Sequence, residues 1–420
     1  MKLEEFWNNP IEAYLKAERY VNNGSRSGIK NTTSLETSPL SSIDEFELYS
    51  IESDDLICIG QDEEFVFPSK YVLIHPDLVE SELLLSYKGC ISRTNIKVSP
   101  TASGRTTYCS AYGCFIKLAY FEILGRIPRH LGLEILQSAF EVTNNLKSLI
   151  DAGVCNSSFA ILREDKGLLT KLNLSDSETY ELGVIFREGK PYPSIQEYFA
   201  MVPFFSLFSK ELKPDSNWEL CEYQDEPLIV QLFLQQSEFS TISDFTLNKI
   251  LKPLFHTYFD SLLLGGIELE AHAQNMLISI SRNFEVKQIV CRDLESAGRD
   301  ISLMQERNIF FNDIAKSYKY IKKTIPESGE KYSTYQRTHS FMFDFKLGEY
   351  IVTPLIDCIC NFDPTVNRDF LVSEIKLFNR DFIEQFPSDY FPVQWCDYDD
   401  VVWGNSVKKK YNWYDNPKYR

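Results

Sequence analysis

The stretch that most constrains this chain is residues 268–296, ELEAHAQNMLISISRNFEVKQIVCRDLES. Two short apolar runs, MLISI and VKQIV, flank the turn-forming RNFE. Runs of that length between polar clusters read as strands, so the pattern predicts a hairpin. Both strands are too apolar for an exposed edge, so the hairpin is expected within a core. On an extended backbone Glu268, Glu270, His272 and Gln274 would share one face, giving a polar lining to a cleft. The hairpin would also bring Asn275, ahead of its first strand, close to Asp293, after its second. An amide oxygen and a carboxylate are hard donors, suited to Mg²⁺ held against a nucleotide. The plainer alternative is a solvated hairpin with surface charges.

At 420 residues the chain can support two or three domains with sizeable cores. A formal charge of −17 argues against nucleic acid as a main partner, because phosphate backbones need a basic face. An acidic enzyme still binds ATP when its cations gather in the cleft. No apolar run reaches the roughly 18 residues of a membrane helix, and the start, MKLEEFWNNP, does not read as a signal peptide. The ten scattered cysteines form no zinc pattern and read as reduced thiols, which points to the cytoplasm.

Along the chain, residues 22–45 are rich in Ser, Thr and Asn and read as a polar loop. LICIGQDEEFVFPSKYVLIHP alternates apolar runs with turns, as β structure does. GLEILQSAFEVTNNLKSLIDAG has helical spacing. SFAILREDKGLLTKLNL reads as a hairpin about EDKG, and LGVIFRE as a strand. SDFTLNKILKPLFHTYFDSLLLGG reads as a long helix stopped by Gly265 and Gly266, with Pro253 marking a kink or the true start. The last third is mostly helical in pattern. The expected class is α+β, divided into a short N-terminal region (1–60), a β-rich domain (61–150) and a C-terminal α+β domain (151–420).

A second constellation lies in residues 99–131. Ser103, Arg105, Thr106 and Thr107 form a hydroxyl and guanidinium cluster in a Gly-containing turn, able to hold phosphate oxygens. It lacks the P-loop spacing. Lys117 sits in an apolar strand, where a buried ammonium needs an anion. The alternative is an ordinary Ser/Thr-rich turn.

These segments resemble, in order, the motifs of the aerobactin-type siderophore synthetases (the IucA/IucC family), which act independently of non-ribosomal peptide synthetases. The resemblance rests on Ile74-His75-Pro76, Ser103-Gly104-Arg105-Thr106, Lys117-Leu118, Arg129, the strand ending in Arg187-Glu188, Glu270-Ala271-His272-Ala273-Gln274-Asn275 and Arg292-Asp293. It covers about residues 70–300. The family's Thr between the Lys and the Arg falls here on Gly125, and much of its N-terminal region is missing. The resemblance implies a cupped-hand synthetase with a partly kinase-like C-terminal domain, and an ATP-dependent ligase that adenylates a carboxylate and condenses it with an amine or alcohol. It implies ATP contacts from Ser103, Arg105, Thr106, Lys117, Gln274, Asn275 and Asp293, and Mg²⁺ on Glu270, Asn275 and Asp293. His75, Arg129 and His272 would hold the carboxylate, with Arg105, Lys117 and His272 catalytic. His272, beside an acid, is expected as an imidazolium. A homodimer is the expected assembly.

Two other readings stand beside the ligase. A kinase-like phosphotransferase would use Asn275 and Asp293 on Mg²⁺, but no Gly-rich loop precedes them. A non-catalytic relative would bind a siderophore or metabolite. His130, His256 and His339 read as structural, Cys358 and Cys360 as buried thiols, and Lys408–Lys410 as a solvated face. Arg187 could reach a nucleotide or simply pair with Glu188.

Overall fold

The structure, a computed structural model, describes residues 1–22, 37–60, 71–124, 127–175, 178–216, 219–221, 225–309, 319–403 and 406–420. The expected hairpin forms from Met276–Ile280 and Val286–Cys291, with Ile278 opposite Ile289. Its turn closes through Phe284 N–H to the Ser281 carbonyl at 3.0 Å. Both faces are covered, which is why the strands carry no polar alternation. Ala200–Pro203 pairs with one side, and Phe159–Ile161 runs parallel on the other. The helix Lys252–Gly265 packs over this four-stranded sheet and shares its apolar core.

A second sheet of eight strands is antiparallel throughout, in the order Ile57–Ile59, Lys166–Ser175, Glu178–Glu188, Cys114–Leu118, Thr106–Cys109, Ile91–Pro100, Phe46–Glu52, Tyr71–Ile74. It draws strands from both sides of the expected divisions at residues 60/61 and 150/151. One of its faces, with Ile116, Leu118, Val184 and Phe186, has a core of its own. The other meets the four-stranded sheet through Phe115.

Two local readings are corrected. Residues 159–175 are not a hairpin. Phe159–Ile161 joins the four-stranded sheet, and Lys166–Ser175 joins the large one. The charged REDK segment is the crossing between sheets. Residues 268–274 are not a continuous strand either. Only Ile267–Glu268 is extended, and His272 N–H to the Glu270 carbonyl (3.0 Å) and Asn275 N–H to the His272 carbonyl (2.9 Å) fold the rest into a turn.

The long helix is a composite. A π-helical segment, Thr246–Leu251, precedes the α-helix in which Pro253 sits in the first turn, where its missing N–H costs nothing. Gly266 ends it at φ 62°, and a Cβ there would stand 2.1 Å from Met304 Cγ, so the stop requires glycine. The C-terminal third is helical through Thr334–Ser340, Phe341–Val352, Thr353–Phe362 and Arg368–Ile383. A hairpin of Trp395–Trp403 and Ser406–Tyr414 follows. The end of the chain is docked: Tyr419 is buried and Arg420 Nε binds Asp344 at 2.9 Å. All ten cysteines are free thiols. Among the described residues no helix is long and apolar enough to cross a membrane. Most of the polar loop 22–45, Gly125 and the side chains of Lys408 and Lys409 lie outside the described residues.

Candidate functional site

Strand register assembles the cations. Thr106 lies opposite Lys117, Lys117 opposite Ile185, and Phe115 opposite Arg187. Opposed residues share a face and the period is two, so Thr106, Lys117 and Arg187 all project from one side of the large sheet. That side faces the end of the buried hairpin. There the chain leaves Cys291, turns through Asp293 at φ 60°, ψ 48°, and enters the short 3₁₀ turn Leu294–Ser296.

Three carboxylates meet these cations, those of Glu164, Asp293 and Glu295, with oxygens within 4.8 Å of one another. Lys117 Nζ is 3.1 Å from Asp293 Oδ1 and is also bonded to Glu295 Oε1. Arg187 Nε donates to Glu164 Oε1 at 2.6 Å, while its Nη2 donates to Asp293. Glu164 also accepts the N–H groups of Asp293 (3.1 Å) and Glu295 (3.3 Å). This holds Asp293 in the left-handed conformation, which costs a non-glycine residue about 1 kcal/mol.

Burial alone would raise all three acids. Lys117 and Arg187 overcome it at Asp293 and hold that carboxyl well below its usual range, and Lys117 lowers Glu295. At Glu164 burial prevails over the pull of Arg187, with Glu295 adding to it, and the group is pushed up to about 7. Arg105 is buried behind the cluster. Burial lowers it, and the Glu295 charge acts in the opposite sense. Its Nη1 donates to the Arg129 carbonyl at 3.2 Å, which ties the Ser103–Thr106 turn to the strand Ile127–Arg129. Arg129 itself is half-buried, with no ion-pair partner among the described residues.

The expected metal set is redistributed. The acids gathered with Asp293 are Glu164 and Glu295, not Glu270. Glu270 turns to Lys346, 3.4 Å away; that ammonium lowers its pKa against the opposing effect of burial. Asn275 stays near Asp293, because Arg292 N–H donates to its carbonyl at 3.0 Å. Its side-chain N–H bonds the Glu270 carbonyl at 3.1 Å, which leaves Oδ1 buried without a partner. Glu295 Oε2 is likewise unpartnered. Glu295 Oε2, in the Asp293 cluster, and Asn275 Oδ1, on the residue bonded to the Arg292 N–H, are orphaned oxygens of the hard type that fits Mg²⁺.

Two histidines depart from expectation. His75 is fully buried between the rings of Phe46 and Tyr120, and its Nδ1 accepts Asp77 N–H at 3.3 Å. It has no surface to offer a carboxylate, and burial lowers it to about 3. His272 is half-buried. Desolvation outweighs Glu270 and lowers it to about 4, so the ring is neutral rather than imidazolium. Its Nδ1 accepts Gln274 N–H at 3.2 Å, which places the proton of the neutral ring on Nε2. Ser103 remains half-buried at the turn.

Glu164 and Glu295 were not found by motif. Their only signal was charge beside apolar strands. Arg187 resolves toward Glu164 and Asp293; Glu188 pairs instead with Arg163. Glu268, expected on the cleft wall, lies in the core. Its Oε1 is 2.8 Å from Nδ1 of His339, whose Nε2 is 3.1 Å from Asp300 Oδ2.

No family model matches the chain, and no curated protein matches it in sequence. Solved structures do match in fold. ATP-bound aerobactin synthetase IucA from a hypervirulent pathotype of Klebsiella pneumoniae superposes with a TM-score of 0.66 at 13% identity, covering 94% of this chain and 75% of that one. The petrobactin biosynthesis protein AsbB from Bacillus anthracis str. Sterne gives 0.61 at 16% identity, over 89% of this chain and 68% of that one. Aerobactin synthetase IucC from the Klebsiella pathotype gives 0.60 at 13%, over 83% and 64%. The chain thus spans only about two-thirds to three-quarters of these neighbours' lengths. The motif resemblance and the architecture agree: this chain has the fold of the IucA/IucC-type siderophore synthetases.

Proposed function

We propose that the chain is an ATP-dependent ligase that activates a carboxylate as an acyl-adenylate and transfers the acyl group to an amine or alcohol, in the biosynthesis of a siderophore or a related metabolite. The observation that carries this reading is the clustering of Lys117 and Arg187 on one side of the large sheet, with Arg105 buried within reach of the same carboxylate charges, in a protein of net charge −17. Such a protein concentrates buried cations where polyanions must bind. The IucA neighbour is an ATP-bound synthetase.

Lys117 and Arg187 are satisfied internally by Asp293, Glu295 and Glu164. Triphosphate binding is then an exchange of anionic partners rather than the filling of an unbalanced site. Asp293, Glu295 and Asn275 would hold Mg²⁺, which would supply positive charge to the carboxylates and the phosphates; Lys117 and Arg187 would then be free to turn to phosphate. Ser103 and Thr106 add neutral donors, and Gln274 lies on the nucleotide side. Arg129, whose guanidinium has no ion-pair partner among the described residues, binds the substrate carboxylate, and His272 contributes an Nε2–H donor without a charge. In the first half-reaction a carboxylate oxygen attacks the α-phosphorus, and the bond to the β-phosphate oxygen breaks to release pyrophosphate. Arg105 and Lys117 stabilise the charge that develops on the leaving group. In the second, the amine or alcohol attacks the acyl carbon, AMP leaves, and the nucleophile's proton is lost.

The test is carboxylate-dependent exchange of labelled pyrophosphate into ATP, run over a panel of mono-, di- and tricarboxylates without a nucleophile. Acid-dependent incorporation of label into ATP, followed by release of AMP once an amine or alcohol is supplied, supports the ligase. ADP as the product would replace it with a phosphotransferase.

A further inference from the structure

The N-terminal helix Pro10–Tyr20 starts cleanly, with Asn9 as its cap and Pro10 in its first turn. Its buried face carries Ala13, Tyr14 and Ala17, and also Glu18, a charged residue with no exposed surface. Tyr14 and Glu18 are one turn apart, and the Tyr14 hydroxyl donates to Glu18 Oε1 at 3.0 Å. A carboxylate is buried so deeply only where its bonds repay desolvation. Glu18 Oε1 accepts from Arg292 Nη1 at 2.6 Å, and Oε2 accepts Ala102 N–H at 3.3 Å. Arg292 Nη1 also donates to the Tyr14 hydroxyl at 2.6 Å, and its Nε to the Gln274 carbonyl at 2.8 Å.

The partners of this one side chain are the residue before Ser103, the residue before Asp293 and, through Arg292, the turn that ends in Asn275. These segments are far apart in sequence, and no other contact described above ties all three together. We infer that Glu18 is a positioning residue for the nucleotide site: it sets the Ser103–Thr106 turn and the Asp293 turn in register with each other from the far side of the charged cluster. This rests on the ligase reading of the site. The N-terminal helix is then part of the site's machinery.

The test measures MgATP affinity of the full chain by calorimetry, alongside ATP kinetics in pyrophosphate exchange. Glu18→Asp keeps the buried charge but cannot reach both Ala102 and Arg292. Glu18→Gln keeps one acceptor and loses the charge. Glu12→Gln, exposed on the same helix, is the control. Both Glu18 variants should raise the MgATP Kd and the KM for ATP by tenfold or more, and Glu12→Gln should change neither. A purely structural role would lower kcat by reducing the active fraction, with KM unchanged. Affinity and KM within twofold of the parent in both variants would overturn the inference. So would failure of both to yield folded protein, which would assign Glu18 to fold stability alone. A parent chain that binds no MgATP would instead sink the ligase reading itself.

Discussion

Substituting His339 isolates one buried charge network. The imidazole has no exposed surface and lies between Glu268 and Asp300, stacked on Tyr390 with ring centroids 3.9 Å apart. Tyr258 donates to Glu268 at 3.1 Å and Tyr335 to Asp300 at 2.8 Å, so both carboxylates are anchored. Burial would lower the histidine, but Glu268 and Asp300 overcome it and raise the pKa from 6.5 to about 9. A shift of that size corresponds to about 3 kcal/mol of stability linked to the bound proton. The folded-state pKa is the higher one, so the contribution is complete below about pH 6.5 and fades as pH rises toward 9. His339→Gln leaves two buried carboxylates without their cation, a loss on the order of 3–5 kcal/mol. The assay is thermal and urea unfolding at intervals from pH 6 to 9.5. The parent should lose stability steadily across that window. The variant should start lower by roughly 5 °C at pH 6 and show a flatter profile. An unchanged Tm at pH 6, or parallel profiles for the two proteins, would refute a charged His339.

Three further outcomes concern the proposed chemistry. Asp293→Asn should fold and lose most activity, on the order of 3 kcal/mol in the barrier, because an amide cannot supply the charge that meets Lys117, Arg187 and a metal; parent-like activity at limiting Mg²⁺ removes Asp293 from that role. Lys117→Ala should raise the KM for ATP and lower kcat in pyrophosphate exchange, and unchanged ATP kinetics would exclude it as a phosphate ligand. Arg129→Ala should weaken carboxylate-dependent exchange far more than ATP affinity; a fall in ATP affinity with every acid affected equally would move Arg129 to the nucleotide side.

What could be read from the sequence was local. MLISI and VKQIV announced the hairpin because each run is short, apolar and bounded by turn residues. Gly265-Gly266 announced a helix stop because the left-handed cap excludes a side chain. The motif residues Lys117 and Asp293 meet in the charged cluster for the same reason: each sits in a strand or just past its end. What stayed hidden was pairing at long range. The parallel register of Phe159–Ile161 with Val286–Cys291 joins residues more than a hundred positions apart, and it is this pairing that brings Glu164 under Asp293. In the sequence Glu164 belongs to a charged, glycine-ended segment and reads as a surface turn. Glu268 and His339 are 71 residues apart, and nothing in either neighbourhood marks them as partners.

The histidines show why motif position alone misjudges protonation. His272 and His339 both stand beside a glutamate, yet one is held down to about 4 and the other raised to about 9. Both lose hydration. His339 gains two carboxylates, one at each ring nitrogen. His272 feels two acids as well, but Glu270 is already paired with Lys346 and Asp293 with Lys117 and Arg187, the charges of Lys346 and Arg292 oppose them, and its Nδ1 is committed to a backbone N–H. Acids shared with other cations do not repay desolvation, whereas two held by tyrosines against the ring nitrogens do. The neutral ring thus sits in the proposed active site, where an uncharged donor can approach substrate oxygens without adding a fixed charge, and the imidazolium sits in the core, where it joins Glu268, Asp300 and the helix Thr334–Ser340. What separates the two histidines is whether their carboxylates are free to serve the ring: those of His339 lie against its two nitrogens, whereas those near His272 are paired with cations of their own.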